Sequence, residues 1–158
     1  MAVQSDYRYS LTVNGSSQFE VVRFVLKEHL STLFRLELDL ASFGAEPNFH
    51  YLIDQPATLT FWQGDEAVRS VNGIVTALNQ GETGFTRTRY HMVIEPSLCR
   101  AGLQTDLRIF QQQDSQKIIE TLLSKNQVSQ SQFHLQTPYW TRESVSYTHL
   151  TLPTICSV

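Results

Sequence analysis

The sequence predicts a mainly β protein with one late α-helix, an α+β chain dominated by antiparallel strands. Three observations carry this. Residues 33–41 alternate strictly, with Phe34, Leu36, Leu38 and Leu40 on one face and Arg35, Glu37 and Asp39 on the other, which is the period of a half-buried strand. Residues 57–62, 68–78 and 85–95 are β-branched and aromatic runs separated by Gly-containing turns, the pattern of consecutive hairpins. Helical spacing is convincing only over Ser115–Lys125, where Ile118, Ile119, Leu122 and Leu123 recur.

Taken in order, Tyr7–Val13 alternates apolar Tyr7, Tyr9, Leu11 and Val13 with Arg8, Ser10 and Thr12. Asn14-Gly15 follows, two residues that tolerate positive φ, so a hairpin turn into a strand over 19–26 is predicted. The strand at 33–41 presents a charged face expected to be solvated or to meet a neighbouring subunit. Residues 42–49, with Gly44, Pro47 and Asn48, read as a loop. The strands at 57–62, 68–78 and 85–95 are predicted to pair in succession. Gly73, inside the second, is expected to mark a bulge or bend that lets the sheet curl. Pro96 stops the third because it has no N–H to give a ladder. A short strand is predicted around 107–110. Asp114 or Ser115 can cap the helix, and Lys125 suits its negative pole. A further strand at 133–136 and a turn at Pro138-Tyr139-Trp140 complete the reading. The expected core is Phe34, Leu36, Leu38, Leu40, Leu59, Ile74, Val75, Ile94 and Ile118.

The chain has 158 residues, 41% of them apolar, enough for one core or two small ones. Its net charge of −3 gives no electrostatic case for nucleic acid or an anionic membrane. No apolar run approaches the roughly 18 residues of a membrane helix. The start, MAVQSDYRYS, lacks a basic region followed by an apolar one, so synthesis in the cytoplasm without a Sec signal is expected. Cys99 and Cys156 make neither a disulfide framework nor a metal spacing.

Chemistry-bearing residues fail to assemble. Asp65-Glu66 falls in a turn and Glu37 with Asp39 lies on a polar strand face, so both pairs read as solvated charge rather than an acid–base dyad. His29, His50, His91 and His134 are scattered, whereas zinc needs three or four convergent ligands. Cys99 beside Arg100 would act as a nucleophile only with a base nearby, and a partly buried thiol is the commoner case. Arg87 and Arg89 with Phe85 and Tyr90 could mimic an RNA-stacking strand, but with the acidic total an exposed or subunit-facing strand edge is the better account. The stripe at 118–123 reads as packing, and phosphate-binding glycine loops are absent. The reading is therefore of a non-enzymatic protein with no catalytic, cofactor-binding or metal-ligating residues.

Five collinear stretches carry a family resemblance: FEVVRFVLKEHLSTLFRLELDLAS, LIDQPATLTF, VNGIVTAL, YHMVIEPSL and DLRIFQQQDSQKIIETLL. In this order they resemble the amino-terminal, phage-hub-like part of VgrG proteins, the tip or spike proteins of the bacterial type VI secretion system. The resemblance implies curled antiparallel sheets of the phage baseplate-hub type, here truncated. It implies a structural role in a contractile injection machine: a homotrimeric hub that caps the tube, with tube protein below and effectors or a spike extension above. Such a protein is made in the cytoplasm and expelled through the machine to the extracellular space or a target cell. A phage tail baseplate hub protein of the late control type is the nearest alternative. A stand-alone β-barrel binding module or small hydrolase is the alternative from another class, and would need a ligand cavity or a nucleophile–base pair.

Three segments are expected: 1–112, a β-rich hub-like domain; 113–143, the helix and the start of an incomplete next subdomain; and 144–158, a non-native tail. The tail, SVSYTHLTLPTICSV, has no Asp, Glu, Lys or Arg, and VSYTHLTLPT resembles the translation of a sequencing-library adapter. Its removal is expected to leave the fold intact.

Overall fold

The structure, a computed structural model, describes residues 7–43, 48–103, 108–128, 131–133 and 142–147. It contains eight strands and one α-helix among these residues: β1 (Tyr7–Val13), β2 (Glu20–Lys27), β3 (Arg35–Ser42), β4 (Pro56–Gln63), β5 (Glu66–Thr83), β6 (Thr88–Glu95), β7 (Arg108–Gln113), α1 (Ser115–Lys125) and β8 (Arg142–Tyr147). Contacts divide the chain into two compact units, Met1–Pro96 and Ser97–Val158. β7 pairs with β8 and not with the first sheet.

The first unit is one six-stranded antiparallel sheet in the order β1-β4-β5-β6-β3-β2. The strands predicted at 57–62, 68–78 and 85–95 pair in succession, as expected. Phe85 itself lies outside β6, fully exposed in the turn after β5.

The sheet curls on itself. Tyr9 in the first strand of the order and Phe24 in the last are in edge-to-face contact, with ring centroids 4.9 Å apart. Inside the curl, Leu11 and Val13, Leu36, Leu38 and Leu40, Leu59, Val75, Met92 and Ile94 are each at most 1% exposed. This is the period-two apolar face read from the sequence, wrapped around a single core. Phe34 packs against that core while partly exposed, and Ile74 is buried.

The bend is built into β5. Its first half pairs with β4 down to Ile74 opposite Pro56, and its second half pairs with β6 from Ile74 opposite Glu95. At this change of partner Gly73 lies against β6. A Cβ on Gly73 would stand 2.5 Å from the Glu95 carbonyl oxygen and 2.7 Å from Ile94 Cγ2. The register irregularity itself falls two residues on, between Val75 and Ala77. Gly73 thus serves close backbone approach and the bulge follows it.

One sequence expectation fails here. Asn14 and Gly15 do make a tight turn, with φ of 49° and 75°, and Val13 and Ser16 exchange two 2.9 Å backbone hydrogen bonds. Among the described residues, however, no ladder joins β1 to β2. β1 pairs along its length with β4, while Phe19 turns inward against Tyr90 with ring centroids 5.5 Å apart. Burying that aromatic draws the chain off the hairpin path, and β1 and β2 become opposite ends of the sheet.

In the second unit α1 begins and ends where the spacing predicts. Asp114 caps it, its Oδ1 accepting from Lys117 N at 2.8 Å, and Ile118 is buried. The strand expected at 107–110 is β7, extended to Gln113. β7 pairs with β8 in a register that sets Gln111 opposite Ser144 and Phe110 opposite Val145. β8 therefore runs across the 143/144 boundary, and residues of the supposed tail form part of a sheet. Phe133 is not in a strand, and residues 134–136 and 138–140 lie outside the described residues.

Candidate functional site

The outward face of the β2-β3-β6 sheet carries the charges that the alternation of β3 predicts. Register places Arg23 opposite Asp39 and Asp39 opposite His91, so three strands contribute to one transverse row. Arg23 Nε lies 2.9 Å from Asp39 Oδ2, and His91 Nδ1 lies 3.0 Å from Asp39 Oδ1. Nearer the other end of the strands Arg35 joins Glu37 at 2.9 Å and Glu95 at 3.0 Å, with Lys27 3.8 Å from Glu37. The hydrogen bond from His91, and after it Arg23, holds the Asp39 carboxyl below the usual carboxylate range. Arg35, helped by Lys27, does the same for Glu37, and Glu37 raises Arg35 in return. Glu37 and Asp39 are therefore neutralised members of an ion-pair lattice.

The remaining candidates are dispersed. Asp65 binds Arg8 across the β1–β4 end at 2.8 Å, fully exposed, while Glu66 opens β5. His50 sits in a short 3₁₀ helix, Phe49–Tyr51, capped by Asn48, and His29 follows β2. Among the described residues no three His, Cys, Asp or Glu side chains group as a metal site; His134 is not among them. Cys99 and Arg100 lie in a 3₁₀ helix, Ser97–Gly102, where Arg100 Nη1 donates to Gln127 O at 3.1 Å.

The expected strand edge at Arg87 and Arg89 needs correction. β6 lies inside the sheet, between β5 and β3, so its long flanks are paired. Tyr90 points into the core, and Arg87 stacks 4.4 Å above the Phe43 ring. An aromatic platform for bases is not formed: Tyr90 is inward and Phe85 stands away in a turn.

Two features escaped the sequence reading. Tyr9, Phe24 and Phe61 meet in a mutual edge-to-face cluster, with centroids 4.9 to 5.4 Å apart. Beside it Arg69 Nη2 donates to both carboxylate oxygens of Glu28, at 2.7 and 2.6 Å. Both depend on which strands the curl brings together, and no local pattern encodes that.

The geometry is that of a curled antiparallel sheet with an ion-paired outer face and an apolar core. In fold it is similar to the E. coli c3393 protein, described as a component of the type VI secretion system with structural similarity to the T4 bacteriophage tail proteins gp27 and gp5. That likeness has a TM-score of 0.74 at 24% identity and covers 87% of this chain and 38% of that one. The 43 kDa tail protein of prophage MuSo2 from Shewanella oneidensis is similar at TM-score 0.54 and 11% identity, over 89% of this chain and 43% of that one. The chain belongs to the phage tail baseplate hub (GPD) family, which it matches over residues 27–149. Among its relatives is the type VI secretion system spike protein VgrG2a of Pseudomonas aeruginosa, 41% identical over 126 residues, or 79% of this chain. The chain spans 15% of the length of that relative.

Proposed function

We propose that this chain is the hub-forming segment of a type VI secretion tip protein. Three copies of the longer polypeptide set their curled sheets in a collar on the secretion tube and carry effectors or a spike beyond it. The protein is made in the cytoplasm and leaves through the machine. The observation that carries this reading is the 41% identity to VgrG2a, in a chain whose sheet has the hub fold. Its role is mechanical. A sheet that closes on one core resists shear, because sliding any strand by one residue would turn its whole apolar face outward. No step of the proposed role requires a catalytic group, a metal or a cofactor, and no turnover on esters, glycans or peptides is expected.

A chimera tests the proposal. The corresponding region of VgrG2a in P. aeruginosa is replaced by residues 7–147 of this chain, and secretion of the tip into the medium is measured. Secretion at a level comparable with the parent is expected. A chimera that is stable in the cell and never exported would contradict the proposal.

A phage tail hub is the second reading, favoured by the similarity to the MuSo2 tail protein. Neighbouring sheath, tube and ATPase genes would support the secretion reading. Capsid and lysis genes would support the phage one.

A further inference from the structure

We propose that the seam between β1 and β2 is a latch, along which the half-barrel opens while its ladders stay paired. Along the sheet every neighbouring pair of strands is joined by an antiparallel ladder. The seam that closes the curl is different. Beyond the Val13–Ser16 bridge at its turn, no backbone ladder crosses it among the described residues.

Side chains close it instead. Tyr9 from β1 meets Phe24 from β2, and both meet Phe61 of β4. The guanidinium of Arg69 lies 5.9 Å over the Phe61 ring and reaches Glu28, the residue that follows β2. Arg69 is on β5, three places from β2 in the sheet order, so this ion pair spans the mouth of the curl rather than following a ladder. Rings and ion pair thus form one continuous chain of contacts: Glu28, Arg69, Phe61, then Tyr9 with Phe24. From Tyr9 towards the Asn14-Gly15 turn the two edges stand apart. A groove of about 430 Å³ runs between Tyr9 to Leu11 on one side and Phe19 to Val21 on the other.

Edge-to-face rings and one half-exposed ion pair are far weaker than a hydrogen-bonded ladder, and the ion pair is screened by salt. Partial opening follows the least stable boundary of a structure. Here that boundary is the seam. Opening it uncovers the Phe24 and Phe61 rings, partly buried while it is shut, and frees two unpaired strand edges, the surface that accepts an added strand. The latch therefore decides whether the barrel stays closed or presents its edges.

Thiol labelling of the 158-residue chain tests this. Leu11 lies just inside the seam, and Val75 lies on β5 in the middle of the sheet, both fully buried. Leu11→Cys and Val75→Cys, each made separately, are labelled with a thiol reagent, and the modified peptide is quantified by mass spectrometry. Adding Glu28→Gln, a surface change that leaves the core alone, is expected to speed labelling at position 11 about threefold and leave position 75 unchanged. Raising salt from 0.1 to 1 M, roughly a threefold shorter screening length, is expected to do the same. Equal acceleration at both positions would mean global unfolding, and no acceleration at position 11 would mean the ion pair does not hold the seam; either result overturns the proposal.

Discussion

Gly73 sits where β5 leaves one partner strand and takes another, and the space a Cβ would need is already filled by the Glu95 carbonyl. Main-chain atoms inside a paired sheet cannot step aside as a flexible side chain can. Gly73→Ala is therefore expected to destabilise the chain by about 1–3 kcal/mol, the usual cost of overpacking. Thermal unfolding checks this; an unchanged melting temperature would mean that the corner has slack. Leu38, 0% exposed, tests the inward face of β3. Leu38→Asp places a carboxylate there without a partner, at a cost of about 3 kcal/mol or more, and is expected to leave the chain insoluble or unfolded. A soluble variant with native circular dichroism would show the strand to be reversed. Both residues were legible in the sequence, Leu38 from strict alternation and Gly73 from its place inside a β-branched run. The reason for Gly73 was not, because close approach to Glu95 is visible only once β6 is in position.

At the scale of elements, the lattice over β2, β3 and β6 gives the fold a pH dependence whose sign follows from the carboxylates. Asp39 is held low first by His91 and then by Arg23, and Glu37 first by Arg35 and then by Lys27. A carboxyl with a lowered folded-state pKa adds stability that is present above its unfolded value, near 4, and is lost as the pH falls through the folded value. Melting temperature is thus expected to fall as the pH drops from about 5 to 3. Asp39→Asn should flatten part of that slope, and a parallel pH profile would show that the row adds nothing. These groups are substantially exposed, so the effect is modest and shrinks in high salt. The elements themselves were largely legible: seven of the eight strands coincide with runs read from alternation or β-branched content, and α1 matches residue for residue. The pairing of β1 was not. Asn14-Gly15 encodes a local turn correctly, but a turn cannot say whether its two arms stay together when Phe19 has a core to enter. β8 was obscured for another reason. Its last four residues, Ser144 to Tyr147, are uncharged and fall in the stretch that resembles an adapter translation, while its pairing with β7 joins positions 29 to 39 residues apart. Removing residues 144–158 would take four of six residues from β8, so the expectation that this removal is neutral does not extend to the second unit.

For the whole molecule, the absence of a catalytic constellation in the sequence reading and the curl of the sheet lead to the same proposal, a part that bears load. The ring cluster and the ion pair that shut the curl were invisible in sequence because they join strands at opposite ends of the sheet order. Function at this scale was legible through five collinear stretches rather than through a motif, since a scaffold leaves no constellation of reactive side chains to find. The most direct measurement is a cryo-electron microscopy reconstruction of the assembled tip carrying residues 7–147 in place of the corresponding VgrG2a region. Three copies of the curled sheet are expected around the tube axis, each bent at Gly73. A tip in which this segment hangs outside the ring, or in which the sheet lies flat, would contradict it.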